Sequence, residues 1–297
     1  MEFQHLKTFV TIARVGSFTK AAGELDYAQS SISAQMKALE EELETKLFER
    51  LGGEISLTED GKRLLIHAEQ LLRLAEATKE SITGTSIPKG ALTIGAPESL
   101  CVFRLPALLQ KYRQHFPKVK LILKLGSCKE IYGWVRKNLI DVAFLLDTPV
   151  ADEDFISTSI IREPMVLIAW KGHPLARKKH CEAQDIQGES LILMEENGCC
   201  YRVIFEAQLA AAGVKLESVH EFGSIEAIKK CVTSGLGISI LPRIAVEQEL
   251  TSGLLADLHW DCLHYNIHTQ MIYHKDKWIS PALAAFMQLA EEIQSDL

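Results

Sequence analysis

The chain has 297 residues, of which 47% are hydrophobic and 24% are charged, and its formal net charge at pH 7 is -7. This length allows two domains, and the composition is that of a globular protein with a sizeable core. The apolar runs are too short to cross a membrane, and the first residues lack the basic-then-apolar layout of a signal peptide. We therefore expect a cytoplasmic protein that has no membrane partner.

The N-terminal region predicts two helices joined by a short polar turn. Apolar residues recur at helical spacing over residues 18–25, and a second apolar stripe runs over residues 32–47. We expect Ser17 to cap the first helix and the pair Ser30 and Ser31 to cap the second.

The beginning of the second helix carries polar side chains that the apolar stripe does not use. They are small or amide-bearing, and such side chains can enter a DNA major groove and contact base edges and phosphates. We assign DNA binding to the following residues of this helix: Gln29, Ser30, Ser31, Ser33, Gln35 and Lys37. A helical hairpin with an ordinary polar outer face is the alternative for this stretch alone.

A short β-hairpin is predicted next. The pair Gly52 and Gly53 marks a turn, and residues 55–58 alternate between apolar and polar side chains. We expect this hairpin to fold back beside the helices as a wing, and we include Arg50 in the DNA-binding surface.

Nineteen residues of this region carry a resemblance to a known family: Phe9, Ala13, Gly16, Ser17, Phe18, Ala21, Ala22, Leu25, Ser30, Ser33, Leu39, Glu40, Leu47, Phe48, Glu49, Arg50, Leu57, Thr58 and Gly61. Together they resemble the winged helix-turn-helix of the LysR-type transcriptional regulators, and the resemblance continues to the C-terminus. It implies a homodimeric or homotetrameric regulator that binds double-stranded promoter DNA. It also implies a C-terminal domain that binds a small effector, and no cofactor is expected.

The predicted DNA-binding region is itself net negative, since residues 1–60 hold six basic and eleven acidic side chains. Phosphate contacts are local, however, and a run of acids falls in the later part of the second helix. The wing carries Glu54 where members of the family often have a basic residue. We therefore expect a modest non-specific affinity for DNA, with a shallower salt dependence than a strongly basic relative would show.

One long helix is predicted from residue 59 to about residue 83, followed by a linker at residues 84–90. Its apolar residues alternate at steps of four and three, as in the seam of a short coiled coil: Leu64, Ala68, Leu71, Ala75, Thr78 and Ile82. Such a helix would serve as a dimer arm, and two recognition helices on a two-fold axis would read an inverted repeat. A helix packed on its own domain is the alternative.

Beyond residue 90, short apolar runs alternate with amphipathic helices, which is typical of an α/β sheet. Strands are predicted at 92–95, 119–125, 142–146, 165–170, 191–194, 216–222, 235–243 and 271–273, and helices at 103–115, 129–138, 201–212, 224–233 and 281–293. The pattern is similar to the two-lobed, periplasmic-binding-protein-like regulatory domain of the same family. We therefore place the winged helix-turn-helix at 1–60, the linker helix and hinge at 61–89 and the effector domain at 90–297, with lobe I at 90–161 and 267–297 and lobe II at 162–266.

Four strand-to-helix turns should meet in the cleft between the lobes. Each places small hydroxyl, thiol or glycine residues at a helix N-terminus, where free N–H groups suit a carboxylate or another small anion. We assign effector binding to Ser99, Leu100, Ser127, Cys128, Gly198, Cys199, Arg202 and Ser224. Arg104 is a weaker candidate for a charged partner, and simple helix capping is the alternative for the serines.

The seven cysteines show neither the spacing of a disulfide framework nor that of a zinc site, and no metal site is predicted. Four of them fall within the cleft turns, where a thiol at a helix N-terminus has a lowered pKa: Cys101, Cys128, Cys199 and Cys200. A thiol-based sensor of oxidants or electrophiles is therefore the alternative to metabolite sensing. The chain has no nucleophile elbow, dinucleotide fingerprint or P-loop, so we do not expect an enzyme.

Overall fold

The computed structural model describes residues 1–51, 54–83, 88–195, 199–216, 218–262 and 265–293. The chain divides into two compact units, Met1–Ser86 and Ile87–Leu297. The described elements of the first unit are α1 (Phe3–Val15), α2 (Phe18–Leu25), α3 (Gln29–Glu42), β1 (Phe48–Leu51), β2 (Glu54–Leu57) and α4 (Glu59–Thr83). Among the described helices, none has the length and apolar character that crossing a bilayer requires.

The helices α2 and α3 form the predicted helix-turn-helix. Ser17 caps α2, since its hydroxyl accepts a hydrogen bond from the Lys20 N–H at 3.3 Å. The capping prediction for α3 is wrong, because the residue that precedes this helix is Ala28 and no side chain caps it. Ser30 and Ser31 lie inside the first turn of α3 instead.

The C-terminal end of α3 also differs from the prediction. The helix ends at Glu42, and Glu44 then adopts a φ of 52°, which turns the chain out of the helical path. Leu47 is therefore not helical. It is still buried in the N-terminal core, at 1% exposure, as the apolar stripe predicted. The helical spacing from Leu43 to Leu47 across the turn is a coincidence.

The strands β1 and β2 pair antiparallel and form the predicted wing, with Phe48 opposite Leu57. The turn at residues 52–53 lies outside the described residues. Glu40 of α3 holds the base of this hairpin, because its carboxylate accepts hydrogen bonds from the Leu47 N–H at 2.9 Å and from Lys46 Nζ at 2.7 Å. These contacts lower the pKa of Glu40, although its partial burial opposes the shift.

The helix α4 is continuous over 25 residues, as predicted. Its first half packs on its own unit, since Ala68 is fully buried and Leu64 and Leu71 contact the N-terminal core. This part of the predicted seam is therefore an intramolecular contact. Further along, Leu74 is 57% exposed, and the side chain of Ile82 lies outside the described part of the chain.

The second unit alternates strands and helices. Its described strands are β3 (Gly90–Ala96), β4 (Val119–Leu125), β5 (Val142–Asp147), β6 (Phe155–Arg162), β7 (Met165–Trp170), β8 (Ser190–Met194), β9 (Ser218–Phe222), β10 (Ser239–Pro242), β11 (Leu255–Asp257) and β12 (His268–His274). Its described helices are α5 (Glu98–Phe103), α6 (Leu105–His115), α7 (Cys128–Arg136), α8 (Cys200–Ala211), α9 (Ile225–Thr233), α10 (Arg243–Thr251) and α11 (Pro281–Ile293).

Three sheets form two lobes in this unit. Lobe I contains the five-stranded sheet β4-β3-β5-β12-β6, in which β3 is parallel to β4 and β5. Lobe II contains the antiparallel sheet β10-β7-β11 and the parallel pair β8-β9, which a bridge between Leu191 and Ile238 connects to the segment before β10. The chain enters lobe II between β6 and β7 and returns to lobe I at β12.

The boundary between the lobes contains a buried ion pair. Glu163 lies between β6 and β7 at 1% exposure, and it accepts hydrogen bonds from Arg104 Nε at 2.8 Å and Arg104 Nη2 at 2.9 Å. The Thr269 hydroxyl, in β12, donates to the same carboxylate at 2.7 Å. These donors offset the cost of burying the charge. The ion pair also occupies Arg104, so the prediction of this arginine as an effector partner is wrong.

The predicted helix at 103–115 is α6, which begins at Leu105, and the chain breaks at Arg104 after the separate short helix α5. Besides α5, three other α-helices and strands have no counterpart in the sequence prediction: β6, α10 and β11. Of these, β6 is an edge strand with a partly exposed face, and β11 has three residues, so neither shows a clear apolar alternation.

Two helical glycines of the N-terminal unit should respond to alanine in opposite ways. A Cβ at Gly61 would lie 2.2 Å from the Leu47 carbonyl oxygen, whereas a Cβ at Gly23 would meet nothing within 4 Å. We expect Gly61→Ala to destabilise the unit by about 1–3 kcal/mol through overpacking. Gly23→Ala should stabilise it by about 0.5–1 kcal/mol through helix propensity. Urea unfolding measures both changes, and equal effects from the two substitutions would contradict this packing.

Candidate functional site

The first candidate surface is the beginning of α3. Gln29, Ser30, Ser31 and Lys37 are exposed, and Ser33 is half-buried. The Gln29 Nε2 donates to the Ser33 hydroxyl at 3.0 Å, which orders two of the predicted side chains on one face. The residue that precedes this helix is Ala28, which has no side chain that could accept a hydrogen bond. The N-terminus of α3 therefore has no side-chain cap.

Two predicted DNA-binding residues stand apart from this row. The Gln35 amide oxygen accepts a hydrogen bond from the Thr8 hydroxyl at 2.6 Å, so this group connects α3 to α1. Its oxygen is therefore already used inside the unit. Arg50 lies in β1, but its side chain is outside the described residues.

The second candidate site is a cavity of about 790 Å³ between the two lobes. It is lined by side chains that follow β3, β4, β8 and β9, as the sequence predicts. Of the predicted effector-binding residues, four line the cavity: Ser99, Ser127, Cys128 and Cys199. Leu100 does not line it, because this side chain is 1% exposed in the core, and Gly198 lies outside the described residues.

The prediction that Arg202 faces a ligand is wrong. Its side chain is 6% exposed, and its guanidinium contacts Glu206 at 2.9 Å and Glu221 at 2.7 Å. It also donates to the Met194 carbonyl at 2.7 Å. Burial opposes the charge, but the hydrogen bonds that Arg202 donates to Glu221 and Glu206 raise the pKa of Arg202, so it carries its charge inside lobe II.

Carboxylates of the chain itself occupy two of the four predicted anion positions. At α7, Glu130 accepts from the Ser127 N–H at 2.8 Å and from the Ser127 hydroxyl at 2.9 Å, which forms a capping box. At α9, Glu98 accepts from the Ser224 hydroxyl at 3.0 Å and from the Ile225 N–H at 2.9 Å. Ser224 is therefore engaged by a carboxylate from the other lobe.

Ser99 is the predicted residue that remains open to a ligand. It lines the cavity at 4% exposure, and its hydroxyl has no hydrogen-bond partner among the described residues. The cavity also contains charged residues that the sequence prediction missed: Glu98, Glu130, Glu195 and Lys129. Glu98 is adjacent in sequence to Ser99, and Lys129 is adjacent to Cys128. Their positions in the predicted turns could therefore have identified them as cavity residues.

The four thiols of the cleft turns do not have the lowered pKa that the sequence predicted. Burial raises the pKa of Cys101 to about 11, of Cys128 to about 12 and of Cys199 to about 11, and it raises that of Cys200 further. The apolar surroundings thus outweigh the helix N-termini. The Cys128 and Cys200 thiols share an acceptor, because both donate to the Leu146 carbonyl oxygen, at 3.7 Å and 3.2 Å.

Among the described residues, His, Cys, Asp and Glu side chains form no group of three that could hold a metal ion. The cavity therefore presents hydrogen-bonding groups, thiols and carboxylates to a ligand. A helix-turn-helix with a wing and a two-lobed domain with a central cavity together define a DNA-binding protein that has a ligand-binding domain.

Family models match both parts of the chain. The model described as "Bacterial regulatory helix-turn-helix protein, lysR family" matches residues 3–62, and the model described as "LysR substrate binding domain" matches residues 86–294. The chain belongs to the LysR family of bacterial transcriptional regulators, which confirms the resemblance seen in the sequence.

Relatives and solved structures agree with this assignment. The chain is 39% identical to the uncharacterized HTH-type transcriptional regulator YwqM of Bacillus subtilis, over 98% of this chain and 99% of that protein. It is 34% identical to the HTH-type transcriptional regulator GltR of the same organism, over 97% and 95%. Its fold matches full-length CbnR in complex with its target DNA, with a TM-score of 0.70, 23% identity and coverage of 98% and 99%.

The raised pKa of Cys128 should be visible in its alkylation rate. At pH 8 we expect iodoacetamide to modify this thiol at least about tenfold more slowly in the folded protein than in guanidinium, because less thiolate is present. The folded state holds the proton more tightly, so this group stabilises the fold less as pH rises from 9.0 toward about 12. Peptide mass spectrometry measures the rates, and faster modification of the folded protein would contradict the burial effect.

Proposed function

We propose that this protein is a sequence-specific regulator that reads promoter DNA with the exposed residues at the beginning of α3. The observation that carries the DNA part is the exposed row Gln29, Ser30 and Ser31 on a helix whose N-terminus has no side-chain cap. Hydroxyl and amide groups in this position can bond to base edges, and the free N–H groups suit a phosphate. Ser33 and Lys37 extend the surface, and Arg50 of the wing is assigned to it as well.

We further propose that the regulator acts as a homodimer or as a homotetramer on an inverted repeat. Two recognition helices related by a two-fold axis match two half-sites, and the second half of α4, where Leu74 is 57% exposed, would serve as the dimer arm. In this mechanism an effector changes the relation of the two lobes. The change alters the spacing of the DNA-binding domains and the bend of the promoter. Such a ligand must bind one arrangement better than the other.

The proposed effector is a small molecule that carries a carboxylate. Two helix N-termini at the cavity already bind carboxylates, those of Glu98 and Glu130, which supports this chemistry for the same cavity. Ser99 lines the cavity with a hydroxyl that has no hydrogen-bond partner among the described residues, and Ser127, Cys128 and Cys199 complete the proposed contact set. The exposed Lys129 adds the positive charge that an anion would meet at the cavity wall.

A thiol sensor is the second candidate for the signal. The observation in its favour is that Cys128 of lobe I and Cys200 of lobe II donate to the same carbonyl oxygen. A peroxide would join their sulfur atoms in a disulfide, with the two thiol protons and two electrons converting the peroxide to two water molecules. The raised pKa of both thiols opposes this reaction, so we place metabolite binding first.

The DNA-binding proposal is tested by changing the exposed residues of α3. Gln29→Ala and Ser31→Ala should each weaken binding to the promoter of the protein's own gene by about 1 kcal/mol, or roughly fivefold, because each removes one contact to DNA. Fluorescence anisotropy with a labelled promoter fragment measures the affinity.

The matched control for this experiment is Gln248→Ala, which removes an exposed amide from α10. We expect this variant to bind the promoter as tightly as the unchanged protein. Equal binding by all the variants would place the recognition surface elsewhere.

The effector proposal is tested by thermal unfolding against a panel of carboxylates, amino acids and aromatic acids in reducing buffer. A compound of the right class at 100 times its Kd should stabilise the protein by about 2.7 kcal/mol. Ser99→Ala should weaken the binding of that compound by about tenfold, because a hydrogen bond to a charged ligand is lost.

Ser252→Ala is the control for Ser99, since this exposed hydroxyl bonds only to the Glu249 carbonyl among the described contacts. Stabilisation by no compound, together with a peroxide-dependent shift in Tm that Cys200→Ser removes, would replace the metabolite proposal by the thiol proposal.

A further inference from the structure

Glu98 makes a contact that crosses the cavity. It is the first residue of α5 in lobe I, yet its two carboxylate oxygens bind the Ser224 hydroxyl at 3.0 Å and the Ile225 N–H at 2.9 Å in lobe II. Among the described residues, no other side chain caps α9, whose own Ser224 makes no capping bond to the helix. The beginning of a nine-residue helix in one lobe is thus satisfied by a carboxylate from the other.

The cap of α7 shows that the chain does not need a contact of this kind to satisfy a helix. There, Glu130 lies in the first turn and caps its own helix through Ser127. Glu226 occupies the corresponding first turn of α9, but its carboxylate binds Lys229 at 2.8 Å instead. The acceptor at the beginning of α9 is therefore supplied from across the cavity.

A second contact joins α5 to α9. The Phe103 ring lies 5.2 Å from the ammonium group of Lys229, which also binds Glu226 and Glu249 at 2.8 Å each. The helix α5 is therefore attached to lobe II at both ends. Ser99, the next residue after Glu98, is 4% exposed and lines the cavity, and its hydroxyl lacks a hydrogen-bond partner among the described residues.

We propose that Glu98 is an internal ligand, which occupies a carboxylate-binding position of the effector cavity and holds the two lobes together until an effector replaces it. This inference rests on the proposed function of the cavity as an effector site. An incoming carboxylate of the effector takes the Ser224 hydroxyl and the Ile225 N–H and also reaches Ser99. When the effector binds in this way, the contact of Glu98 with lobe II is broken. Ligand binding and the change in lobe arrangement are therefore one step.

The experiment uses Glu98→Ala in the full-length protein and follows amide hydrogen exchange at Ile225. Removing the acceptor should speed this exchange by about tenfold, because the bond to a charged acceptor is lost. Acetate is the probe, since it carries the same carboxylate as the missing side chain. Sodium acetate is added at about 100 mM, so that a weakly bound carboxylate can fill the vacated position. We expect acetate to slow the exchange at Ile225 in Glu98→Ala again. Sodium chloride at equal ionic strength should leave this exchange fast.

Glu130→Ala is the matched control, because it removes a carboxylate cap within lobe I. This variant should expose the Ser127 amide, leave Ile225 protected and show no effect of acetate at Ile225. Exchange at Ile225 that is unchanged in Glu98→Ala would show that the contact between the lobes does not form in solution. Fast exchange that acetate cannot slow would show that the position is not a carboxylate site.

These outcomes do not depend on the effector or on DNA, so they are separate from the failure of the proposed function. If the panel identifies a carboxylate effector, its Kd for Glu98→Ala should be at least about tenfold lower than for the unchanged protein, because the internal competitor is absent. An unchanged or higher Kd would contradict the proposal that Glu98 competes with the effector.

Discussion

The N-terminus of a helix leaves backbone N–H groups that need an acceptor, and the C-terminal domain gathers several such helix ends around one cavity. The strands β3, β4, β8 and β9 all end toward this cavity, so each following helix begins there. Where the chain supplies a carboxylate, as Glu98 and Glu130 do, the helix end is satisfied internally. Where it supplies none, the cavity keeps a position for a ligand. The same requirement thus accounts for the cavity's chemistry and for the contact that closes it.

The boundary between the lobes and the cavity use charge in different ways. At the boundary, the buried Glu163 binds Arg104 and Thr269, so both charges of the ion pair have a partner, and this pair stabilises one path of the chain between the lobes. At the cavity, Glu98 is held by neutral donors only. A ligand can replace the contacts of Glu98 at a much lower free-energy cost than it could replace the ion pair of Glu163 and Arg104. The lobes can therefore move while the connection between them stays intact.

The sequence predicted most of the fold because local patterns determine it. The stripes of α2 and α4, the apolar strands β5 and β7 and the apolar helix α11 are each visible within a short window. The errors arose where distant residues decide the outcome. Leu47 matched the helical spacing but belongs to a turn, and Arg202 stood at a cleft-facing helix but is neutralised by Glu221 from a neighbouring strand. Spacing identifies the apolar side of an element and does not reveal which charge another element brings.

The candidate site was predictable to the level of its turns but not of its individual partners. Four of the eight predicted effector residues line the cavity, because strand-to-helix turns of such a sheet must meet at one edge. The pKa of the thiols was not predictable, since it depends on burial that only the folded structure defines. The role of Glu98 was equally hidden, because its partners lie more than a hundred residues away in the chain.

The contact of Glu40 with the base of the wing also bears on the acidic character of the DNA-binding unit. This carboxylate is directed toward Lys46 and Leu47, and further acids of the unit are paired in the same way, Glu24 with Arg14 and Asp60 with Arg63. Each pair contributes a dipole rather than a full charge to the field at a distance. The pairs cancel equal numbers of positive and negative charges, so the excess of acidic residues remains, and the field at the beginning of α3 depends on where the remaining acids lie.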